Sequence, residues 1–201
     1  MGTMSPQTRL QALLAEIGAC RACAADLPHE PRPVVRVTPA TRLLICGQAP
    51  GRRVHESGLP FDDASGDRLR SWLGVDRSTF YGHPAFGVAA MAFCFPGTDP
   101  KGGDYPPPPR CAALWRRPLI DALPEVELTL LVGTYAQKWA LGKRARPLMA
   151  DTVAAWRDYL PAFVPLPHPS WRNTAWLKRN PWFEDEVVPY LRQRVGRMLE
   201  P

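Results

Sequence analysis

Four short apolar segments alternate with longer amphipathic segments along the 201-residue chain. The apolar segments are residues 42–47, 87–93, 127–133 and 162–166, and their length predicts buried β-strands. Helical spacing of apolar residues predicts helices over residues 7–18, 65–73, 111–123, 135–141, 152–159 and 181–198, the last bent at Pro189. This alternation predicts an α/β fold: a single domain with a central, mostly parallel sheet of about four strands flanked by helices.

The length suits one domain with a substantial core, so residues 1–201 are taken as a single domain. Residues 1–6 are expected to be disordered or vector-derived. No apolar run is long enough to cross a bilayer, and the first residues lack the basic-then-apolar layout of an export signal. We therefore expect a cytoplasmic protein. We also expect it to be a monomer.

The formal net charge is +6 at pH 7. This charge favours a polyanionic partner only slightly, because many basic proteins bind no nucleic acid. The placement of the charges is more informative than their sum. Basic residues concentrate at Arg52 and Arg53, at Arg116 and Arg117, and at Arg172, Lys178 and Arg179.

The carboxyl ends of parallel strands meet at one edge of a sheet, where α/β proteins bind their ligands. Three loops follow predicted strands and should converge there: residues 47–51, 94–96 and 168–170.

The first of these loops holds Gly47, Pro50 and Gly51, and its backbone N–H groups can face an oxygen-rich ligand. The alternative is that its glycines serve the turn alone. Further along, Phe61 follows a proline and can stack on a planar base. For this segment the alternative is that Phe61 belongs to the core and that the neighbouring carboxylates cap the next helix, with Asp63 or Ser65 as the cap.

His168 follows the last predicted strand, in a loop that also carries Ser170, Trp171, Arg172 and Asn173. A histidine at this place can donate a hydrogen bond to a developing anion, although a lone histidine is more often a polar loop residue. Its neighbours favour a loop that faces a polyanion. The alternative is that Trp171 and Trp176 pack against the final helix.

Five cysteines, an odd number without an export signal, argue against a disulfide framework. Cys20 and Cys23 form a CxxC pair, and Cys94 and Cys111 border a proline-rich loop. Such a set can build a four-thiolate site for zinc or for an iron–sulfur cluster. The alternative, four separate cysteines buried as small hydrophobic residues, suits Cys46 better, because Cys46 lies inside a predicted strand.

Six features occur in a characteristic order: the CxxC pair, a Gly-x-x-Pro-Gly loop, Pro60-Phe61, Cys94, the loop to Cys111, and His168-Pro-Ser170. In this order the chain resembles the iron–sulfur-containing (family 4) uracil-DNA glycosylases over nearly its whole length. The resemblance implies a 4Fe–4S cluster, with zinc as the second candidate, on Cys20, Cys23, Cys94 and Cys111. Such a cluster would order loops beside a DNA-binding face rather than carry electrons.

The same resemblance implies a base pocket, with Phe61 as the stacking ring and His168 as the uracil contact. The expected catalytic residues are Gln48, Ala49, His168, Asp62 and Asp63. The base contacts are expected from Gly47, Pro50, Gly51, Phe61 and Asn173. DNA, with a flipped-out damaged base, should contact Arg52, Arg53, Ser170, Trp171, Arg172 and Lys178.

Two positions depart from the family pattern. Gln48 stands where a glutamate is usual and cannot act as a base, and Ala90 stands where an asparagine reads the edge of uracil. The first hypothesis is a monofunctional DNA glycosylase that removes uracil or another deaminated base in base excision repair. The second is a nucleic-acid- or base-binding protein on this scaffold with little or no turnover, and the third is a relative acting on a nucleotide-derived small molecule.

Overall fold

The computed structural model describes residues 5–200, and these residues form a four-stranded, wholly parallel sheet. The strands are Leu43–Cys46 (β1), Phe86–Val88 (β2), Leu128–Val132 (β3) and Phe163–Leu166 (β4), in the spatial order β2-β1-β3-β4. In the centre, Ile45 of β1 pairs with Val88 on one side and with Leu130 on the other. The predicted single-domain α/β fold with a parallel sheet is confirmed.

Helices flank the sheet on both faces. In chain order they are Pro6–Gly18 (α1), Arg52–Ser57 (α2), Ala64–Leu73 (α3), Arg77–Gly82 (α4), Pro109–Asp121 (α5), Thr134–Leu141 (α6), Met149–Ala154 (α7), Thr174–Arg179 (α8) and Val188–Leu199 (α9). Shorter 3₁₀ turns lie at Gly142–Arg144, Trp156–Tyr159 and Trp171–Asn173. Between residues 5 and 200, no helix has both the length and the apolar composition that a membrane crossing requires.

The start of the chain differs in part from the expectation for residues 1–6. Residues 1–4 lie outside the described residues. Ser5 caps α1, because its hydroxyl accepts a hydrogen bond from the backbone N–H of Thr8 at 3.1 Å, and Pro6 begins the helix.

The second strand is shorter than the predicted segment 87–93 and ends at Val88. Past Val88 the backbone hydrogen bonds go to the loop that follows β1: the N–H of Met91 donates to the carbonyl of Gly47 at 2.9 Å. Cys94 therefore lies in a loop rather than at the end of a strand.

The predicted final helix, residues 181–198, is interrupted. A wide π-type turn occupies Phe183–Val187, and α9 follows with Pro189 in its first turn. Proline lacks an N–H and crowds the carbonyl four residues earlier, so the irregular turn precedes it. The predicted helix 152–159 likewise divides into α7 and a 3₁₀ turn. The sequence pattern does not predict α2, α4 or α8, because their six residues are too few to show a helical period.

The sheet buries alternate side chains on its two faces. Leu43 and Ile45 face a core that includes residues of α3 and α9. Leu44 faces the opposite core with residues of α1 and α5, and Cys46 shares a cluster with Ala136 of α6. Burying each large aliphatic side chain stabilises the fold by about 1.5–3 kcal/mol, so both faces of the sheet must be covered by helices.

All four strands end at the same edge of the sheet, and the loops that follow them begin at that edge. We call this region the crevice, and we call residues 47–51 the glycine loop. The chain leaves β1 toward α2 and α3, and it leaves the adjacent β3 toward α6 on the other face. A parallel sheet opens at such a reversal, which is where ligands bind in this architecture.

Gly66 of α3 packs directly against the backbone of Phe61, and any side chain at position 66 would overlap the carbonyl oxygen of Phe61. We expect Gly66→Ala to lower the free energy of unfolding by roughly 1–3 kcal/mol through overpacking. Gly18→Ala is the matched control: its Cβ would meet nothing within 4 Å, so the change should be neutral or stabilising. Urea unfolding of both variants tests this, and equal midpoints would contradict the close approach at Gly66.

Candidate active site

The glycine loop joins two strand ends and a distant loop. The carbonyls of Gly47 and Gln48 accept hydrogen bonds from the N–H groups of Met91 and Ala92, at 2.9 and 3.0 Å. The side-chain nitrogen of Gln48 donates to the carbonyl of Tyr105 at 3.1 Å. The loop is therefore held between the segment after β2 and the proline-rich loop of residues 96–109.

The ring of Phe61 lies over the glycine loop. Its Cζ atom is 3.7 Å from the position that a Cβ on Gly47 would occupy. The ring is partly buried and also touches the border of the α3–α9 core. Of the two alternatives from the sequence, core or crevice, the structure supports a position at the boundary between them.

The backbone of Phe61 is strained and firmly held. Its φ of 57° is unusual for a bulky residue and costs about 1–3 kcal/mol. A guanidinium nitrogen of the buried Arg70 donates to the carbonyl of Phe61 at 3.1 Å, and the hydroxyl of Tyr81 donates to the carbonyl of Pro60 at 2.8 Å. Gly66, which has no side chain, leaves room for the carbonyl of Phe61. Such over-determined strain is typical of functional sites.

The two predicted carboxylates have different surroundings. Asp63 caps α3, since its Oδ1 accepts the N–H of Gly66 at 2.8 Å. Asp62 forms an ion pair with Arg77 of α4 at 2.8 Å, and the hydrogen bond from Arg77 lowers the pKa of Asp62. Asp62 therefore connects the segment before α3 to α4 through its ion pair. Asp63, in contrast, interacts with His168.

His168 follows β4 and is largely buried. Burial lowers the pKa of His168, and the nearby carboxylate of Asp63 partly opposes that shift. The imidazole is therefore neutral at pH 7 and can donate one N–H and accept at the other nitrogen. This interaction brings the loop after β4 to the start of α3, beside Phe61.

Hydrogen bonds fix the loop that carries His168. The side-chain nitrogen of Asn173 donates to the carbonyl of His168 at 2.7 Å. Arg68 of α3 donates to the carbonyl of Ser170 at 2.9 Å and to the hydroxyl of Thr174 at 3.2 Å. Asn173 thus has a structural bond, and its contact with a base stays a prediction. Nothing in the sequence pattern singled out Arg68, which joins α3 to this loop.

The tip of the same loop projects into solvent. Trp171 is 76% exposed, and the guanidinium of Arg172 lies 5.5 Å from its ring centre. Trp176 instead packs in the α3–α9 core, with its ring centre 5.9 Å from that of Phe183. The packing alternative for these two tryptophans is therefore right for Trp176 and wrong for Trp171.

The other predicted DNA contacts lie around the crevice with their charges outward. Arg52 and Arg53, in the first turn of α2, and Lys178 in α8 are exposed. Ala49 and Pro50 complete the glycine loop, the first half-buried and the second buried. Ala90 is half-buried where the chain passes the end of β1.

Asp104 belongs to this site, and the sequence reasoning missed it. Its Oδ2 atom lies 3.4 Å from the position that a Cβ on Gly51 would occupy. The sequence pattern showed only a proline-rich connection from Cys94 to Cys111. The available signal was the glycine pair, Gly102 and Gly103, directly before an acidic residue, because glycines let a loop approach other groups closely.

The four cysteines of the predicted metal site line one cavity. Cys20 and Cys23 follow α1, Cys94 follows the β2 segment, and Cys111 lies in the first turn of α5. Most of the other lining is apolar, including Ile17, Leu27, Pro31, Pro33 and Leu114. Cys46 lies elsewhere, fully buried in β1, with its Sγ 3.7 Å from the sulfur of Met91.

The thiols in this cavity interact with one another and with nearby donors. The indole N–H of Trp115 donates to the Sγ of Cys20 at 3.4 Å, and the N–H of Phe93 donates to the Sγ of Cys111 at 3.3 Å. Burial, reinforced by the neighbouring thiols, raises the pKa of Cys94 to about 11 and that of Cys111 to about 12. Within the described chain, no three His, Cys, Asp or Glu side chains are grouped as one metal ion would need.

The placement of Asp62 and Asp63 makes a prediction about His168. Asp63→Asn should lower the pKa of His168 further, because it removes the negative charge that raises it, while asparagine still caps α3. Asp62→Asn is the matched control and should leave the titration midpoint of His168 in place. Proton NMR of the histidine rings measures both, and a shift in the Asp62 variant alone would reverse the assignment.

The family described as the Uracil DNA glycosylase superfamily has a model that matches residues 35–192. The matched region contains the glycine loop, Phe61 and His168, and it begins after Cys20 and Cys23. The match therefore bears on the sheet and the crevice, and says nothing of the CxxC pair. Since it spans well over half of the sequence, the chain belongs to the uracil DNA glycosylase superfamily.

Proposed function

We propose that this protein is a DNA glycosylase that hydrolyses the N-glycosidic bond of uracil, or of another deaminated base, in DNA. Two observations carry the proposal: the ring of Phe61 lies over the glycine loop, and Asp63, two residues further on, interacts with His168. An aromatic face, a neutral imidazole and a turn of small residues are what a flipped base requires.

Phe61 supplies the face on which the base stacks. Its ring borders both the glycine loop and the core, so a planar ligand can lie against it without opening the fold. Stacking of this kind is worth about 1–3 kcal/mol per base. The strained backbone of Phe61, held by Arg70, keeps the ring in place before the base arrives.

His168 supplies stabilisation of the leaving group. When the bond between the sugar and the base nitrogen breaks, its electron pair leaves with the base, which becomes an anion. A neutral imidazole can donate its N–H to that anion, and burial strengthens the bond. The sugar is left as a cation, which the DNA's own phosphates stabilise until water adds to it.

The rim of the crevice supplies contacts for DNA. Arg52, Arg53, Arg172 and Lys178 carry positive charge around it and would bind phosphates. The exposed ring of Trp171 is an apolar side chain at a loop tip, of the kind that fills the gap left by a flipped base.

A second candidate function is binding of bases or nucleic acid without turnover. It is favoured by Gln48, whose amide is engaged with the carbonyl of Tyr105 and which cannot accept a proton from water. Ala90 adds to it, since its methyl group cannot read the edge of uracil by hydrogen bonds.

We propose in addition that Cys20, Cys23, Cys94 and Cys111 hold a 4Fe–4S cluster, which would make the protein closest to the family 4 enzymes. All four line one apolar cavity, and donors from Phe93 and Trp115 already face two of the sulfurs. Four cysteine thiolates are the protein ligands that such a cluster takes. When bound, the cluster would join the segment after α1, the first turn of α5 and the segment after β2.

Excision from labelled oligonucleotides tests the function. The unchanged protein should release uracil, or another deaminated base, from single- or double-stranded substrates. His168→Leu should lower the single-turnover rate by roughly 10²–10³-fold, because it removes the donor to the leaving base. His168→Gln keeps an N–H and should lose less.

His83→Leu, at the end of α4, is the matched control and should keep the rate. Binding of base-containing DNA without release of any base would favour the second candidate. The absence of both binding and release would reject both candidates.

Anaerobic purification tests the cluster. The protein should be brown and contain iron and sulfide, and Cys111→Ser should remove the colour, because a ligand is lost. Cys46→Ala is the matched control and should stay brown, since Cys46 lies in the sheet. Colourless protein with stoichiometric zinc would keep the four-thiolate site and reject the cluster.

A further inference from the structure

We propose that Asp104 is a catalytic residue of this protein, the carboxylate that binds the attacking water and accepts its proton at the glycine loop. The proposal rests on the glycosylase function proposed above and assigns to Asp104 the task that Gln48 cannot perform.

The first support is position. The Oδ2 atom of Asp104 is 3.4 Å from where a Cβ on Gly51 would be, so the carboxylate touches the last residue of the glycine loop. Phe61 touches the first residue, Gly47, at a comparable 3.7 Å. The carboxylate and the proposed base-stacking ring therefore contact opposite ends of the same short loop.

The second support is the way the loop of residues 96–109 holds Asp104. Asp104 pairs with Thr98 as an isolated antiparallel bridge, and the N–H of Tyr105 donates to the carbonyl of Gly97 at 2.9 Å. The carbonyl of Tyr105 accepts the side-chain hydrogen bond from Gln48. Gln48 thus ties the residue next to Asp104 to the glycine loop, so the glutamine in this family position has a role in placing the carboxylate.

The third support is the charge around Asp104. The groups that act on it are Arg172 from the loop after β4, Asp63 from the start of α3, Arg52 from α2, and the hydroxyl of Thr98. The guanidinium nitrogens of Arg172 lie 3.5 and 3.4 Å from the positions that a Cβ on Gly102 and on Gly103 would occupy. Because both residues are glycines, no side chain there blocks the guanidinium. Asp104 therefore faces residues of the same loops that hold His168 and Phe61.

Asp104 is an exposed residue whose carboxylate loses part of its hydration to the groups around it. This desolvation raises the pKa of Asp104, while Arg172 and Arg52 oppose the rise and Asp63 reinforces it. A carboxylate whose pKa is raised is a stronger base than an ordinary aspartate, and general-base catalysis is most effective as the pKa approaches the working pH.

The other acidic residues near the crevice are less suited to this role. One oxygen of Asp63 is bound to the N–H of Gly66, and Asp62 is paired with Arg77. Among residues 5–200, Asp104 neither caps a helix nor forms an ion pair.

The step balances as a hydrolysis. The bond between the sugar carbon and the base nitrogen breaks, and its electron pair leaves on the base, beside His168. The oxygen of one water forms a bond to the sugar carbon, and one proton of that water moves to Asp104. The proton then passes to the base anion or to solvent, so the products are the free base and a sugar hydroxyl.

Asp104→Asn tests the inference on the full-length protein. Single-turnover excision should fall by roughly 10²–10⁴-fold, while the Kd for uracil-containing DNA changes little. The rate of the unchanged protein should fall as the pH drops through the raised pKa of Asp104, and the variant should lack this acidic limb. Tm should not drop, because partial desolvation already disfavours the charged form of Asp104.

Asp99→Asn removes a carboxylate from the same loop, one that accepts the N–H of Lys101, and is the matched control that should keep its rate. A fully active Asp104→Asn protein, or one that retains the acidic limb, would overturn the role of Asp104 and leave the glycosylase function standing. An unchanged protein that excises no base would overturn both. An equal loss in the Asp99 and Asp104 variants would reduce Asp104 to a structural part of the loop.

Discussion

The crevice depends on the parallel pairing of β1 with a strand on either side. Because Ile45 pairs with both Val88 and Leu130 in the same direction, the strands all end at one edge of the sheet. Backbone groups beyond that edge have no strand partner and must be satisfied by loops. The N–H of Met91 meets the carbonyl of Gly47, and the N–H of Gly133 meets that of Leu166. Satisfying these groups brings together loops that lie far apart in the chain.

Helix α3 converts that loop assembly into a site with defined chemistry. Gly66 lets the helix start against the backbone of Phe61, Arg70 holds the same carbonyl, and Asp63 caps the helix beside His168. Desolvation then lowers the pKa of an imidazole and raises that of a carboxylate. Burial keeps His168 neutral, and partial desolvation makes the carboxylate of Asp104 more basic. The reaction proposed above needs both: a hydrogen-bond donor for the leaving base and an acceptor for a water proton.

Both ends of one loop lie at the cysteine cavity, and the middle of that loop reaches the crevice. Cys94 and Cys111 border the segment that carries Asp104, and both line the cavity with Cys20 and Cys23. A cluster bound there would hold both ends of that segment. The proposed metal site would therefore fix the loop that carries Asp104 at the crevice, because this loop does not pair with a strand of the sheet.

The sequence by itself determined the alternation of strands and helices, the separation of Cys46 from the other cysteines, and the position of His168 directly after a strand. These properties are local, since periodicity and the residues next to a strand end are visible in a short window. The tertiary structure alone separated Asp62 from Asp63 and Trp171 from Trp176, and it alone brought Asp104 to Gly51. Which loops touch depends on strand order and on how helices cover the sheet. A one-dimensional pattern does not contain those distances.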